Sequence, residues 1–164
     1  MTDETFRQAA LAYGDTLYRV AFHALKNRAD AEDVVQTVLL RLCQREEPFH
    51  GEDHLKHWLL RVTVNESRRL LRAFWRRRTV SLEEWDGTAE PAPVPSEVLE
   101  AVLALEPKYR LSIYLYYYED CPVKEIARIM GANPSTVQTW LQRARARLKT
   151  ALTGGEEEEG DPCV

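Results

Sequence analysis

A group of polar side chains near the C-terminal end of the sequence has the residue types needed to read base edges in duplex DNA. In the major groove, glutamine pairs with adenine and arginine with guanine through two hydrogen bonds each. An apolar stripe at positions 137, 141, 144 and 148 predicts a helix whose opposite face is polar. The residues expected to face bases are Ser135, Gln138, Thr139, Gln142 and Arg143.

Two predicted helices and a tight turn position these side chains. Residues 122–130 are expected to form the first helix, with Pro122 at its first position, and residues 134–149 the second, with Gly131 opening the turn. Such a helix-turn-helix places the start of its second helix in the major groove. Contacts to phosphates, which set the register without reading sequence, are expected from Lys124, Arg145, Arg147 and Lys149. The alternative is a solvated amphipathic hairpin in a helical bundle.

A second basic block suits nucleic acid in a different state. Residues 61–79 contain seven arginines and one acidic residue, and Trp58, Phe74 and Trp75 lie in or beside them. Unstacked bases need flat faces and phosphates need positive charge, so this block favours binding of single-stranded or melted nucleic acid. Seven arginines also repel one another unless a polyanion compensates them. The alternative is an aromatic core with a solvated arginine face, and for Trp58 alone we favour the core.

The average charge of the chain conceals these blocks. The 164 residues carry a formal net charge of −4, which by itself argues against a polyanionic partner. Residues 80–106 and 154–164, however, contain acidic residues and no basic ones. Such charge asymmetry indicates local contacts with polyanions.

Helical periodicity accounts for most of the chain and divides it in two. A first domain, residues 1–79, is expected to hold three helices, at residues 6–25, after an N-cap at Asp30, and at residues 54–75. Residues 80–96 contain three prolines and one glycine and predict an extended acidic linker. A second domain, residues 97–153, begins after an N-cap at Ser96, and residues 154–164 form an acidic tail expected to be disordered. The predicted fold is all-α, with two small helical domains joined by a flexible linker.

The sequence contains no pattern typical of an enzyme or a metal site. Neither a Ser/His/Asp order, nor a glycine-rich phosphate loop, nor an HExxH motif occurs. The four histidines have no cysteine or carboxylate partners at a metal-ligand spacing. We therefore expect no catalytic residues, no metal and no cofactor. The tyrosines at positions 114 and 116–118 are expected to pack in and around the core of the second domain.

The cysteines and the apolar runs bear on where the protein works. Cys43, Cys121 and Cys163 are far apart and form no CxxC pair, which favours neither a zinc site nor a disulfide framework. Cys43 lies in an apolar helical run and is expected to be buried. The acidic opening residues predict no signal peptide, and no apolar run is long enough to span a bilayer. A reduced, soluble, cytoplasmic protein with no membrane insertion is expected.

Three motifs in sequence order resemble those of the extracytoplasmic function sigma factors, the small bacterial RNA polymerase sigma factors that retain conserved regions 2 and 4. The first motif is DAEDVVQ at residues 30–36. The second is WLLRVTVN at residues 58–65. The third is EIA at residues 125–127, followed by STV at 135–137 and RAR at 143–145. The resemblance covers about residues 6–79 and 97–152.

The resemblance implies partners and site residues. It implies binding to the β′ clamp helices of core RNA polymerase through Glu32, Asp33, Gln36, Thr37 and Leu40, with part of the second domain meeting the β flap. It implies capture of the unpaired −10 strand of promoter DNA by Phe49, His50, His54, Trp58, Arg61, Asn65, Arg68, Arg69 and Arg72. It implies reading of the −35 duplex by Ser135, Thr136, Gln138, Thr139, Gln142, Arg143, Arg145 and Arg147. Control by an anti-sigma factor is implied as well.

Two other functions remain open from the residues. A helix-turn-helix repressor or activator acting without core polymerase would explain residues 122–149, but it would need a dimerisation element and would leave the arginine block unexplained. A small nuclease is disfavoured because no carboxylate cluster accompanies the basic helix.

Overall fold

The computed structural model describes residues 2–78 and 97–154. These ranges contain seven α-helices and no β-strand, which confirms the predicted all-α class. The predictions for the linker at 80–96, the Ser96 cap, Cys163 and nearly all of the acidic tail lie outside the described residues. The helices are α1 (Asp3–Leu25), α2 (Arg28–Gln44), α3 (Glu52–Arg78), α4 (Glu97–Leu103), α5 (Pro107–Tyr117), α6 (Val123–Met130) and α7 (Pro134–Leu152).

The start of α2 differs from the prediction. Asn27, not Asp30, is the N-cap, because its side-chain oxygen accepts a hydrogen bond of 3.0 Å from the backbone N–H of Asp30. Asp30 therefore lies in the first turn, where its negative charge still suits the positive end of the helix dipole. The chain reverses between α1 and α2 at Lys26, which adopts a left-handed φ of 55°.

The first three helices pack around aliphatic side chains spaced three or four residues apart. Leu17 and Val20 of α1 and Leu59 of α3 are almost fully buried. On α2 the buried face consists of Ala31, Val34, Val38 and Leu42. Cys43 follows Leu42 by a rotation of about 100° around the helix and points off this face. It is exposed, so the prediction that it is buried is wrong.

The helix-turn-helix is confirmed, with a shift at its first residue. Gly131 ends α6 with a left-handed φ of 65°, a conformation that glycine adopts without steric cost. Pro122 is the N-cap of α6 and not its first helical residue, so the helix begins at Val123. In α7, Val137, Leu141 and Ala144 are buried as their spacing predicts.

The two sets of helices pack against each other. Helix α1 contacts α5, and α3 contacts α6. At the first contact the ring of His23 stacks on that of Tyr114, with centroids 4.2 Å apart. Buried side chains of α1–α3 and of α4–α7 belong to one continuous hydrophobic core.

Candidate nucleic-acid interface

The outward face of α7 carries the residues predicted to read duplex DNA. Burial of Val137 and Leu141 turns Gln138, Gln142 and Arg143 outward, and all three are exposed. Ser135 is exposed as well, whereas Thr136 and Thr139 are half-buried. The hydroxyl of Thr139 donates a 3.1 Å hydrogen bond to the carbonyl of Ser135, which leaves its oxygen lone pairs for a base.

Arg145 and Arg147, predicted to contact phosphates, are exposed but held by tyrosines of α5. The Nε of Arg145 donates to the hydroxyl of Tyr117 at 2.8 Å, and its guanidinium lies 5.4 Å from the ring centroid of Tyr116. The guanidinium of Arg147 lies 4.6 Å from the ring centroid of Tyr109. Such cation–π contacts fix the direction of a long side chain. Nη1 of Arg147 also lies 3.4 Å from the carboxylate of Glu106, an ion pair at the exposed surface.

The tyrosines at positions 114 and 116–118, here called the tyrosine cluster, serve both the core and the surface. Tyr114 is 2% exposed, whereas Tyr117 and Tyr118 are 54% and 62% exposed. The cluster therefore extends from the core to the surface beside α7. This agrees with the prediction that these tyrosines pack in and around the core. Sequence reasoning missed the support that Tyr116 and Tyr117 give to Arg145, because the residues lie about 28 positions apart.

Four aromatic side chains form a second cluster where α3 begins. The ring of Phe49 packs edge-to-face against Trp58 at 5.6 Å and against His54 at 5.2 Å. His50 stacks on His54 at 5.5 Å, and its backbone N–H donates to Nδ1 of His54 at 3.0 Å. The structure thus brings together the predicted residues Phe49, His50, His54 and Trp58. Trp58 packs partly buried against the core, as the core interpretation predicts, and its contact with nucleic acid stays a prediction.

Arg45 belongs to this cluster although the sequence did not single it out. Its guanidinium lies 4.4 Å from the ring centroid of Phe49 and 5.2 Å from that of Trp58. The sequence signal for this contact was the basic Arg45 four positions before the aromatic Phe49. Arg45 and Phe49 also line a cavity of about 450 Å³, whose other lining residues are Thr5, Pro48, Gly51, Leu55 and the three glutamates Glu46, Glu47 and Glu52. A cavity of this size is in the range of small-molecule sites and has room for one nucleobase.

The arginines of α3 do not all behave alike. Arg61, Asn65, Arg69 and Arg72 are exposed and lie near one face of the helix, beside Trp58. Arg68 is half-buried and its Nη1 donates to the backbone carbonyl of Met130. Burial is the main reason that the pKa of Arg68 lies below its usual value. The Nε of Arg69 is 3.1 Å from Glu66. The protein itself therefore partners two of the arginines, so a polyanion is not needed to compensate the whole block.

The exposed face of α2 has the character of a protein-binding surface. Leu40 is 58% exposed at its centre, and Gln36 and Asp33 lie one and two turns before it, also exposed. Glu32 is exposed and paired with Arg28 at 3.3 Å, while half-buried Thr37 donates to the carbonyl of Asp33 at 3.0 Å. Helix α2 packs on α1 and α3 through its other face.

Comparison with known families assigns the chain. The family model described as sigma-70 region 2 matches residues 10–77, and the one for sigma-70 region 4 matches residues 96–148. The RNA polymerase sigma factor SigV of Bacillus subtilis is 30% identical over 139 residues, covering 83% of this chain and 84% of SigV. The chain belongs to the extracytoplasmic function sigma factors of bacterial RNA polymerase.

Two further similarities concern the sequence and the fold. The RNA polymerase sigma-E factor of Streptomyces coelicolor is 29% identical to this sigma factor over 165 residues, covering 92% of this chain and 91% of that protein. The fold is similar to that of the sigma factor RpoE from Bartonella quintana, solved with the anti-sigma factor NepR. That structure has a TM-score of 0.76 at 24% identity, and the match covers 92% of this chain and 98% of RpoE.

Family membership bears on the two functions that the residues left open. Sigma factors are non-enzymatic initiation factors, so the nuclease alternative is disfavoured further, as is a repressor that acts without polymerase. In the part of the chain that the structure describes, no helix has both the length and the apolar character needed to cross a membrane.

Proposed function

We propose that this sigma factor binds core RNA polymerase in the cytoplasm and directs initiation at promoters by reading −35 as a duplex and holding −10 as an unpaired strand. One observation carries the proposal: two surfaces of different chemistry lie on one chain. The face of α7 offers hydrogen-bonding side chains, and the start of α3 offers rings and arginines beside a cavity. Residues 1–79 would serve the −10 element and residues 97–153 the −35 element, with 80–96 linking them and 154–164 as a tail.

The −35 contacts fit a division of labour on α7. Three exposed side chains of α7 would enter the groove, namely Gln138, Gln142 and Arg143. Ser135 and Thr136 lie at the start of the helix, where backbone N–H groups would face a phosphate. Arg145 and Arg147 lie further along, where the tyrosines of α5 direct them. Their role is to hold the backbone of the duplex, which sets the register of the helix but adds no sequence preference.

The −10 contacts require a base outside the stack. An extruded base needs a pocket to enter and a ring to lie against. The cavity would supply the pocket and Phe49, which lines it, one ring. Trp58 and His54 pack against Phe49 and would offer further rings beside the cavity. Asn65 lies two turns after Trp58 on the same exposed face of α3 and offers both a donor and an acceptor to a base edge.

Polymerase binding would use the face of α2 around Leu40. An exposed apolar side chain ringed by polar ones is the usual composition of a protein interface. This face would meet the β′ clamp helices, and part of the C-terminal half would meet the β flap. The RpoE structure from Bartonella quintana contains an anti-sigma factor, NepR, and we extend to this chain the expectation of such a regulator.

Run-off transcription on a randomised promoter library with purified core polymerase tests the function directly. The expected result is initiation from a subset of templates that share two separated motifs. No initiation above core polymerase alone would overturn the proposal. Gel filtration distinguishes the repressor alternative, since a chain that is dimeric and binds duplex DNA tightly without polymerase would favour that function.

A further inference from the structure

Tyr117 of α5 and Arg145 of α7 form a polar pair at the surface, beside the side chains proposed to read the −35 duplex. The Nε of Arg145 donates a hydrogen bond of 2.8 Å to the hydroxyl oxygen of Tyr117, and the guanidinium lies 5.6 Å from the centroid of the same ring. Both side chains are exposed. The pair therefore meets solvent although each member is held by the other.

Tyr116 contacts both members of this pair. Its ring packs edge-to-face against that of Tyr117, with centroids 4.9 Å apart, and its centroid lies 5.4 Å from the guanidinium of Arg145. Aromatic pairs favour the edge-to-face geometry, and a guanidinium is attracted to a ring face. The two exposed side chains are thus oriented before any ligand arrives, which lowers the entropy cost of binding one.

What the pair offers to a ligand is mainly hydrogen-bond donors. An arginine side chain has five N–H groups, and the bond to Tyr117 uses only the one on Nε, so Nη1 and Nη2 keep theirs. The hydroxyl proton of Tyr117 points away from Arg145, because the oxygen accepts there, and no acceptor for this proton lies within reach among the described residues. A hydroxyl that accepts a hydrogen bond from a cation also becomes a stronger donor.

The positive charge of Arg145 has no carboxylate partner among residues 2–78 and 97–154. Arg147, two residues further along α7, differs in this respect because its Nη1 lies 3.4 Å from Glu106. The pair of Tyr117 and Arg145 therefore combines one uncompensated charge with several convergent donors. This combination fits an anion with more than one acceptor oxygen, since hydrogen bonds from a cation to such an anion are short and strong.

The position of the pair on α7 indicates which anion this is. Arg145 lies one turn after Gln142 and two turns after Gln138, on the same side of the helix as these exposed glutamines. At about 1.5 Å per residue, it lies about 10 Å further along the helix than Gln138. The major groove is about 8.5 Å deep, so a side chain this far from the base edges reaches the sugar-phosphate strand that borders the groove.

We propose that Tyr117 and Arg145 form a phosphate clamp, a site on two helices that binds one phosphodiester beside the −35 element. Nη1 and Nη2 of Arg145 donate to the two non-bridging oxygens, and the hydroxyl of Tyr117 donates to one of them. Tyr116 is a positioning residue that acts through both. The clamp adds a residue of α5 to the DNA contacts of α7 and fixes the angle of α7 in the groove without reading sequence. The inference rests on the proposed function, since it requires α7 to lie on duplex DNA.

Affinity of the holoenzyme for a −35 duplex tests the clamp. Tyr117→Phe removes one hydroxyl and keeps the ring, so affinity should fall about threefold to tenfold for all sequences alike. Tyr118→Phe makes the same change at the next residue, which is 62% exposed and stacks on Tyr114, and should have no effect. Arg145→Met should reduce the salt dependence by about one phosphate contact, whereas Tyr117→Phe should not, because only the arginine displaces counterions.

Uncharged methylphosphonates, placed singly along the duplex, identify the phosphate that is bound. With the wild-type holoenzyme, affinity should fall at each contacted phosphate that is replaced. At one of these phosphates the loss should be smaller for Tyr117→Phe and for Arg145→Met, because each variant already lacks part of the contact. Reduced losses at different phosphates for the two variants, or at none, would overturn the clamp.

Two comparisons separate the clamp from the function on which it rests. Sequence preference in the wild-type holoenzyme with equal affinities for Tyr117→Phe and Tyr118→Phe would overturn the clamp alone. No preference of the wild-type holoenzyme for any duplex would overturn the proposed function. A weaker complex of Tyr117→Phe with core polymerase, at unchanged DNA affinity, would assign the pair to a carboxylate of the polymerase and contradict the clamp.

Discussion

The carboxylate of Glu66 lies 2.5 Å from the guanidinium of Arg41 and joins α3 to α2 through a buried side chain. Its other oxygen accepts a hydrogen bond of 3.1 Å from Nε of Arg69. Glu66 is the one acidic residue among the seven arginines of residues 61–79. It supports the surface proposed to hold the −10 strand by orienting Arg69, and it connects that surface to the helix proposed to bind polymerase.

Replacing Glu66 by glutamine should destabilise the fold moderately. Hydrogen bonds to charged groups contribute about 1.5–3 kcal/mol, but Arg41 and Arg69 are about half exposed and regain water, so we expect a loss of about 1–2 kcal/mol. Urea unfolding measures it. Glu47→Gln removes a carboxylate whose side chain is 85% exposed and provides the control. Equal effects of the two changes would contradict the role assigned to Glu66.

Replacing each of two arginines of α7 by alanine should change DNA binding in a different way. Arg143→Ala should lower holoenzyme affinity for the preferred −35 sequence by about 1–3 kcal/mol and relax the preference at one base pair. Arg147→Ala should weaken binding to all sequences alike and reduce the salt dependence, because a phosphate contact carries no base information. Binding to a −35 library at two salt concentrations separates the two patterns. A sequence-specific loss in Arg147→Ala would reverse the assignment.

Asn65→Ala should impair use of the opened −10 strand and leave the fold intact, because the side chain is exposed. We expect initiation on duplex promoters to fall about 5- to 100-fold, as the loss of one good base contact predicts. Affinity for a −35 duplex should not change. Gln8→Ala on α1 removes an exposed amide far from the cluster in sequence and serves as the control. An effect on −35 binding equal to that on initiation would count against a −10 role.

Leu40→Ala should weaken the complex with core polymerase. Burying a leucine at an interface contributes about 1.5–3 kcal/mol, so affinity should fall about tenfold or more. Leu11→Ala removes the same group from α1, where the side chain is 80% exposed. Fluorescence anisotropy with core polymerase measures both variants. Equal affinities for Leu40→Ala and the wild-type protein would place the polymerase-binding surface elsewhere.

His23 should make the fold sensitive to acid. Burial lowers the pKa of His23 in the folded state, with the charge of Arg110 adding to this and the hydrogen bond to the carbonyl of Arg19 opposing it. Because the folded pKa lies below the unfolded one, the unfolded chain binds more protons, and stability is lost as pH falls below about 6.5.

The variant His23→Phe keeps a ring against Tyr114 and removes the titration. The wild-type free energy of unfolding should therefore fall more than that of the variant between about pH 7.5 and pH 5.5. Parallel pH dependence of the two proteins would show that His23 makes no contribution.

The local part of this structure could be predicted from the sequence. The stripe of Val137, Leu141 and Ala144 and the stop at Gly131 depend on neighbours within four residues, and the structure agrees with both. The cap of α2 was misplaced because Asn27 and Asp30 are both good capping residues, and only the backbone conformation chooses between them. The predicted burial of Cys43 is wrong because apolar neighbours in the sequence do not define the direction in which a side chain points from its helix.

Only the tertiary structure decided which partners the charged and aromatic side chains have. Arg110 reaches carbonyls 86 and 87 positions away, and Arg68 reaches one 62 positions away. Periodicity carries no information at such separations, since it describes one helix face and not what packs against it. The sequence by itself determined the helical pattern of most of the chain, the helix-turn-helix and the family resemblance. Only the packing of the helices decided which arginines remain exposed and which are bonded to carbonyls or carboxylates of the protein.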